Sequence, residues 1–186
     1  MNRTNLEPDA IAARLPKGER PPVHTWNPTY TADIDMRIGR DGTWYYQGSA
    51  IGRPAMVRLF STILRHDADG RFYLVTPAEK LGIVVDDAPF VAVEMTVHGR
   101  GEAQVLTFRT NVDEEIMAGP EHPIRVAIDA DSGEPAPYVL IRDRLEALIA
   151  RPVYYDLADL AVEQPGDGAD ELGVWSAGRF FPLGRA

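Results

Sequence analysis

The sequence RLFSTILR at positions 58–65 recurs as RLEALIAR at positions 144–151, and both copies follow the pattern Arg-Leu-x-x-x-Ile-x-Arg. Around the first copy, apolar residues recur at spacings of three and four, which predicts a helix that begins at Pro54 and buries one face. The second copy completes a helix predicted over residues 138–151, which Pro152 ends. The two halves of the chain are therefore predicted to contain equivalent helices.

Three further pairs of short sequences accompany these helices in the same order. The pairs are 36–41 with 124–129, 72–73 with 153–154, and 81–90 with 172–181. The offset between partners is 81 to 91 residues in all four pairs. Because chance matches rarely preserve a common order, we infer an internal duplication.

The duplication predicts an α+β fold made of two strand–strand–helix–strand–strand units. In the first unit, alternating apolar and polar residues flank Asp41-Gly42, a pair that favours a tight hairpin turn. The predicted organisation is an N-terminal arm at 1–33, a first unit at 34–97, a bridging strand and loop at 98–121, and a second unit at 122–186. Units of about 60 residues are only marginally stable alone, so we expect them to share an interface, where ligand pockets often form.

The composition excludes several classes of function. The chain has 186 residues, no cysteine and a formal net charge of −9. Disulfides, thiol catalysis and cysteine-bound metals are therefore excluded, and binding to extended nucleic acid is disfavoured. No apolar run reaches the roughly 18 residues of a membrane span, and the first residues lack the pattern of a signal peptide, so we expect a cytoplasmic protein with no membrane partner. No histidine pair has metal-ligand spacing, and neither a metal nor another cofactor is predicted.

Arginine and aromatic residues near the duplicated sequences form the predicted ligand site. Guanidinium groups bind carboxylate and phosphate oxygens in a bidentate manner, and aromatic rings stack on bases. The predicted ligand-binding residues are Arg37, Trp44, Tyr46, Arg58, Arg109, Arg125, Tyr138, Arg144 and Trp175. The alternative is that the arginines pair with carboxylates on the surface, while most of the aromatic residues belong to the core.

Acidic residues indicate a second kind of chemistry. Asp33 and Asp35 share one face of a predicted strand, and such a pair can act as an acid–base couple. Asp86 and Asp87 are adjacent and are more typical of a solvated turn before Pro89. Neither Ser49 nor Ser176 lies in a Gly-x-Ser-x-Gly motif, so no catalytic residue is predicted.

The chain also resembles a bacterial family described as domain of unknown function 1285. The motifs that carry the resemblance are IDMRIGRDGTWYYQGS, IGRPAMVRLFSTILR, FYLVTPAEKLGIVVDDAPF, FRTNVDE, EHPIRV, PYVLIRDRLEALIARPVYY and GVWSAGRFFPLG. They cover nearly the whole chain from Pro21 onward. The resemblance implies a duplicated α+β core with a pleckstrin-homology-like C-terminal half. It also implies a site for a nucleotide-like ligand between the halves and a role in signalling.

These observations favour a small-ligand-binding protein over an enzyme. The preferred hypothesis is a signalling sensor that binds a nucleotide-like or other anionic ligand between its two halves. A carboxylate-based hydrolase is the first alternative. A protein–protein interaction module that uses strand edges or the arm around Trp26 is the second.

Overall fold

The computed structural model describes residues 7–13, 15, 20–128, 132–165 and 170–185. The chain divides into two compact units, Met1–Pro89 and Phe90–Ala186. The fold is mostly β with few helices, and each unit contains a six-stranded curled sheet. The α+β prediction is thus confirmed in its broad form, and the pleckstrin-homology-like character of the C-terminal half stays a prediction.

The N-terminal unit contains two three-stranded meanders joined by a helix. Its helices are α1 (Pro8–Ala13) and α2 (Pro54–Thr62), and its strands are β1 (Tyr30–Ile38), β2 (Trp44–Tyr46), β3 (Ser49–Ala50), β4 (Leu64–His66), β5 (Phe72–Val75) and β6 (Lys80–Val85). The strand order is β3-β2-β1-β6-β5-β4. Strands β1 and β6 pair in parallel, and every other pair in this sheet is antiparallel.

The C-terminal unit contains a second six-stranded sheet, followed by a helix and a small third sheet. The first sheet comprises β7 (Phe90–His98), β8 (Val105–Thr110), β9 (Glu115–Met117), β10 (Ile124–Ile128), β11 (Pro135–Arg142) and β12 (Leu145–Ile149). Helix α3 (Arg151–Ala158) leads to β13 (Val162–Gln164), β14 (Glu171–Ser176) and β15 (Arg179–Arg185). The six strands are ordered β10-β11-β12-β7-β8-β9, with β7 and β12 parallel.

The two six-stranded sheets have the same topology. In each, the first strand pairs in parallel with the sixth, and the two meanders extend outward on either side of that pair. Strand β1 therefore corresponds to β7, and β6 to β12. Corresponding strands carry similar sequences: IDMRI at 34–38 matches VEMTV at 93–97, and KLGIVV at 80–85 matches RLEALI at 144–149.

The predicted duplication is therefore real, but its predicted alignment is wrong. The corresponding strands are offset by about 60 residues, from 59 between positions 34 and 93 to 64 between positions 80 and 144. The predicted offset of 81 to 91 residues instead matches segments with different structures. For example, it matches positions 72–73 in β5 with positions 153–154 in α3. The unit boundary also differs from the prediction, because β7 ends at His98 and belongs to the second sheet.

The prediction of a helix over residues 138–151 is wrong. These residues form the hairpin β11–β12, which turns at Asp143 with a positive φ of 47°. Along β12, Leu145, Ala147 and Ile149 are buried in alternation, the period of a strand. Pro152 lies in the first turn of α3, where its missing N–H costs nothing, so it begins a helix instead of ending one.

Two local predictions in the N-terminal unit are confirmed. Helix α2 begins at Pro54 and buries Met56 and Phe60 on one face. The turn between β1 and β2 contains Gly42 at a φ of 82°, and the backbone N–H of Thr43 donates to Asp41. In the described part of the chain, no helix is long and apolar enough to cross a membrane.

Candidate ligand cavity in the N-terminal unit

A cavity of about 300 Å³ lies between α1, the hairpin β2–β3 and the amino end of α2. Its polar lining comes from Glu7, Asp9, Tyr46, Ser49 and Arg53. The apolar part of the lining comes from Pro8, Ala50, Ile51 and Met56. The volume is at the lower end of the range of small-molecule sites. The cavity therefore combines one cation, two carboxylates and two hydroxyl groups in a space suited to a small ligand.

The hairpin β2–β3 positions Tyr46 and Ser49 at the cavity. Its two-residue loop, Gln47-Gly48, has positive φ angles of 49° and 75°, which match the twist of a tight hairpin. Tyr46 and Ser49 are therefore directly opposed in the register. The chain then leaves β3 through Gly52 and Arg53 into α2.

Arg53 supplies the cation of the cavity. Its Nη1 donates to Oδ1 of Asp9 at 2.7 Å, and its Nη2 donates to Oδ2 at 3.0 Å. The hydrogen bond from Arg53 holds the pKa of the Asp9 carboxyl below its usual value. Both side chains are exposed, Arg53 to 60% and Asp9 to 72%. This pair is therefore a bidentate guanidinium–carboxylate contact in reach of solvent.

Tyr46 supplies a phenolic group to the cavity lining. Burial raises the pKa of Tyr46, and the negative charge and hydrogen bonding of Glu7 raise it further. The Nε2 of Gln47 donates to the phenolic oxygen of Tyr46 at 3.3 Å. The phenol thus stays protonated around neutral pH, and Glu7 is its hydrogen-bond partner.

Trp44 lies two residues before Tyr46 on β2, so the two side chains share one face of the strand. Trp44 is only 1% exposed and stacks on Phe60 of α2, with ring centroids 6.2 Å apart. Its indole N–H is buried and has no hydrogen-bond partner within the described part of the chain. The core next to the cavity therefore contains an unpaired donor.

Two of the predicted ligand-binding arginines lie on strand surfaces in ion pairs. Arg37 donates from Nε to Oδ1 of Asp86 at 2.8 Å, and its guanidinium lies 5.3 Å from the ring centroid of Tyr45. Arg125 donates from Nε to Oε1 of Glu146 at 2.7 Å and lies 4.3 Å from the ring of Tyr138. In each case the tyrosine is directly across from the arginine on the neighbouring strand. Both arginines combine a salt bridge with a cation–π contact.

The other predicted residues are spread over both units. Arg109 on β8 pairs with Glu94 at 2.6 Å and with Asp113 at 3.1 Å. Arg58 on α2 and Arg144 in the β11–β12 turn are exposed. Trp175 on β14 makes an edge-on contact with Phe180, and Tyr138 is buried. Of the predicted set, Tyr46 alone lines the described cavity, and the predicted position of the site between the two halves stays a prediction.

Arg53 and Asp9 were not predicted as site residues. The signal for Arg53 is its position directly before Pro54, which places a cation at the amino end of a predicted helix. Asp9 carries no such signal, because it is 44 residues away in the sequence and meets Arg53 only through the docking of α1.

Three of the four acidic residues considered for hydrolysis are paired with arginines. Asp33 pairs with Arg71, and Asp86 pairs with Arg37. Asp87 lies 3.3 Å from Nε of Arg40. Over the described ranges, no three histidine, aspartate or glutamate side chains gather in a group that could hold a metal ion.

The arm around Trp26 is held to the N-terminal unit. Arg65 on β4 donates from Nη1 to the carbonyl oxygen of Trp26 at 2.7 Å and to that of Val23 at 3.3 Å. Val23 is buried, whereas Trp26 is half-buried. Arg65 also pairs with Asp67, which contacts Lys80 in turn. This network connects the arm, β4 and β6.

The chain is similar to two solved structures. It shares 54% identity and a TM-score of 0.90 with a DUF1285 family protein from Silicibacter pomeroyi DSS-3, covering 97% of this chain and 96% of that one. A DUF1285 family protein from Shewanella baltica OS155 is 22% identical, with a TM-score of 0.53, over 68% of this chain and 91% of that one, and shares the fold alone. No curated protein matches the chain.

Two family models match consecutive parts of the chain. Residues 21–88 match the N-terminal domain of unknown function DUF1285, and residues 89–183 match the C-terminal domain of the protein of unknown function DUF1285. The boundary between the two matches lies within one residue of the boundary between the two compact units. With most of its length matched and a close structural relative of the same description, the chain belongs to the DUF1285 family.

Proposed function

We propose that this chain is a small-ligand-binding protein whose N-terminal unit binds an anionic ligand in the cavity beside Arg53. The observation that carries the proposal is the bidentate contact between Arg53 and Asp9 at the cavity wall. A carboxylate already occupies the guanidinium fork there. A ligand carboxylate or phosphate has the same geometry and can take the place of Asp9.

The exchange of one anion for another costs little at this site. Exposed ion pairs contribute little to stability, because water and salt screen both charges. The first turn of α2 contains no acidic side chain, and its helix dipole favours an anion at the same end. The phenol of Tyr46 lines the same cavity. Arg53, Tyr46 and the start of α2 together favour a small ligand that carries negative charge.

A nucleotide-like ligand and a signalling role are the finer parts of this proposal. The cavity volume limits such a ligand to about the size of a mononucleotide. Displacement of Asp9 would remove the ion pair that links α1 to the start of α2. Ligand binding would then change how α1 is held, and a partner protein could recognise that change.

Thermal unfolding of the full chain in the presence of anions tests the proposal. The panel contains acetate, citrate, inorganic phosphate, ribose 5-phosphate and AMP. A ligand that binds only the folded state raises the melting temperature in proportion to the logarithm of its concentration above Kd. We expect at least one member of the panel to produce such a concentration-dependent rise.

Three variants locate the binding site. Arg53→Gln removes the guanidinium, and we expect it to weaken binding about tenfold or more. Asp9→Asn removes the internal competitor, and we expect it to strengthen binding by up to about fivefold. Arg58→Gln is the matched control, because Arg58 lies on the same helix outside the cavity lining. A panel without any shift, or equal losses in the Arg53 and Arg58 variants, would overturn the proposal.

A further inference from the structure

We infer that the ligand of this cavity is an α-amino acid, whose carboxylate binds Arg53 and whose ammonium group binds Asp9 and Glu7. The inference rests on the proposed function and names the class of its ligand. It adds a positively charged group, which the proposed function does not require. The charges of the cavity lining, the exposure of Asp9 and the apolar residues beside them favour such a ligand.

The cavity lining carries more negative than positive charge. Arg53 is the one cation among its described residues, whereas Glu7 and Asp9 are both carboxylates. An anion that displaced Asp9 from Arg53 would leave the Asp9 carboxylate without its ion pair and beside another negative charge. An ammonium group on the same ligand gives Asp9 a new cation. Because an amino acid has no net charge, its binding leaves the total charge of the site unchanged.

The contact between Arg53 and Asp9 has the geometry that an α-amino acid needs. Nη1 of Arg53 lies 2.7 Å from Oδ1 of Asp9, and Nη2 lies 3.0 Å from Oδ2. The carboxylate and the ammonium group of an α-amino acid are attached to the same carbon atom. A ligand carboxylate in the guanidinium fork therefore brings its ammonium group close to Asp9. The side chain of Asp9 is 72% exposed and can rotate from the fork toward that ammonium group.

Glu7 supplies a second acceptor for the ammonium group. It lines the same cavity and is the hydrogen-bond partner of the Tyr46 phenol. A carboxylate has about four lone-pair sites, so Glu7 can accept from the phenol and from a ligand at the same time. An ammonium group has three N–H donors. Glu7 and Asp9 provide acceptors for two of them, and water can accept from the third at this exposed site.

The apolar part of the lining favours an aliphatic side chain on the ligand. Pro8, Ala50, Ile51 and Met56 border the same space as the charged groups. The cavity of about 300 Å³ is at the lower end of small-molecule sites, which suits a ligand as small as a single amino acid. Methyl groups of a branched side chain would be removed from water against these four residues. Leucine is therefore the probe for the test.

The test compares L-leucine with 4-methylpentanoate, which has the same carbon skeleton and carboxylate but no amino group. Both are titrated at pH 7 into the ¹⁵N-labelled full chain, and NMR follows the backbone amide signals of residues 46–53. We expect both probes to shift these signals. Leucine should bind about tenfold more tightly, because only leucine forms charge-assisted hydrogen bonds with Asp9 and Glu7.

Variants of the two carboxylates test the origin of this preference. Asp9→Asn and Glu7→Gln each remove one negative partner of the ammonium group. We expect the preference for leucine to fall to about threefold in each single variant and to disappear in the double variant. Retained binding of 4-methylpentanoate shows that the cavity of each variant is folded. Asp33→Asn is the matched control, because Asp33 also pairs with an exposed arginine but lies outside the lining, and it should keep the full preference.

The outcomes separate this inference from the proposed function. Equal binding of the two probes, or a preference for leucine that survives in the double variant, overturns the inference and leaves the proposed function standing. Binding of an anion from the panel without binding of leucine does the same. Leucine binding that Arg53→Gln does not weaken contradicts both, because the carboxylate is then bound elsewhere. If neither the panel nor the two probes bind the wild-type chain, the proposed function itself fails.

Discussion

The two six-stranded sheets share their strand order but differ in the link between their meanders. In the N-terminal unit the link is helix α2, and the cavity lies at its amino end. In the C-terminal unit the link is residues 118–123, too short for a helix of that length. There the hydroxyl of Ser176 donates to the carbonyl oxygen of Ala118 at 2.7 Å, and Gly119 lies against Ala177. The turn of β14–β15 therefore covers the second link, while the first borders a cavity.

This difference shows that the same strand order allows a cavity beside the link in one unit and a covered link in the other. The strand order fixes where the link between meanders begins and ends, but the link itself has no pairing constraint. In the N-terminal unit the cavity lies beside the amino end of α2, and residues of α1 line part of it. A short link leaves backbone groups that need partners, and the third sheet supplies one of them through the hydroxyl of Ser176, which donates to the carbonyl oxygen of Ala118. The cavity of the proposed function accordingly lies in the N-terminal unit.

The strongest test of the comparison uses two glycines in matching Leu-Gly sequences. A Cβ on Gly173 would collide with the backbone carbonyl of Phe181 and would lie 2.6 Å from the ring of Phe180. A Cβ on Gly82 would meet the Asp33 carboxylate, part of an exposed pair that can move aside. We expect Gly173→Ala to lower the free energy of unfolding by about 3 kcal/mol, and Gly82→Ala by about 1 kcal/mol.

Hydrogen exchange of peptides from each unit, with urea denaturation of the full chain, measures both effects. We expect the loss of protection in Gly173→Ala to concentrate in β14 and β15. Equal costs for the two variants would mean that the two glycines have the same role. The contrast between a backbone obstacle and a movable side chain would then be wrong.

The local elements could be predicted from the sequence, but the alignment of the two repeats could not. Helix α2 and the Asp41-Gly42 turn depend on neighbouring residues, so their patterns could be interpreted directly. The sequence RLEALIAR fits two periods at once, because Leu145, Ala147 and Ile149 alternate as in a strand while Leu145, Leu148 and Ile149 fit a helix. Only pairing with β7 and β11 decides between them.

The candidate site was predictable to a smaller extent. Tyr46 was among the predicted ligand residues and does line the cavity. Arg37 and Arg125 were chosen because their sequences match, but they lie on strands that do not correspond, β1 and β10. The two arginines have similar surroundings, because each one stacks on the tyrosine across from it and pairs with a carboxylate. The contact of Arg53 with Asp9 depends on tertiary packing that short motifs do not encode.

A second test addresses the hydroxyl that covers the C-terminal link. Ser176 is fully buried, donates to Ala118 and accepts from the backbone N–H of Leu106 at 2.9 Å. Ser176→Ala would leave both backbone groups without this partner, and we expect a loss of about 2 kcal/mol in the free energy of unfolding. Urea denaturation at neutral pH provides the measurement.

The matched variant in the N-terminal unit is Thr62→Val. The hydroxyl of Thr62 donates to the carbonyl oxygen of Leu59 at 2.7 Å, a contact within one turn at the end of α2. We expect its loss to cost about 0.5 kcal/mol, because this bond is local and its side chain is half-buried. A cost for Thr62→Val that equals or exceeds that of Ser176→Ala would contradict the special role of the short link.

The last test concerns a difference between the two units in acid. Burial raises the pKa of Asp67, but the hydrogen bonds from Arg65 and Lys80 lower it by more, so the pKa lies below its usual value. A carboxyl with a lowered pKa stabilises the folded state above its unfolded pKa, and this stabilisation disappears as the pH falls through the folded pKa. The contribution is therefore complete at pH 7 and is lost below about pH 4.

Asp67→Asn isolates this contribution, which we expect to be about 1 kcal/mol. Hydrogen exchange is compared between pH 7 and pH 3.5, after correction for the intrinsic rate, for peptides around β4–β6. In the wild-type chain these peptides should lose more protection in acid than they do in Asp67→Asn, whose amide does not titrate. Peptides from the C-terminal unit should respond to acid identically in both proteins. If the variant and the wild type lose protection around β4–β6 in parallel, the network of Arg65, Asp67 and Lys80 does not hold the arm through its charge.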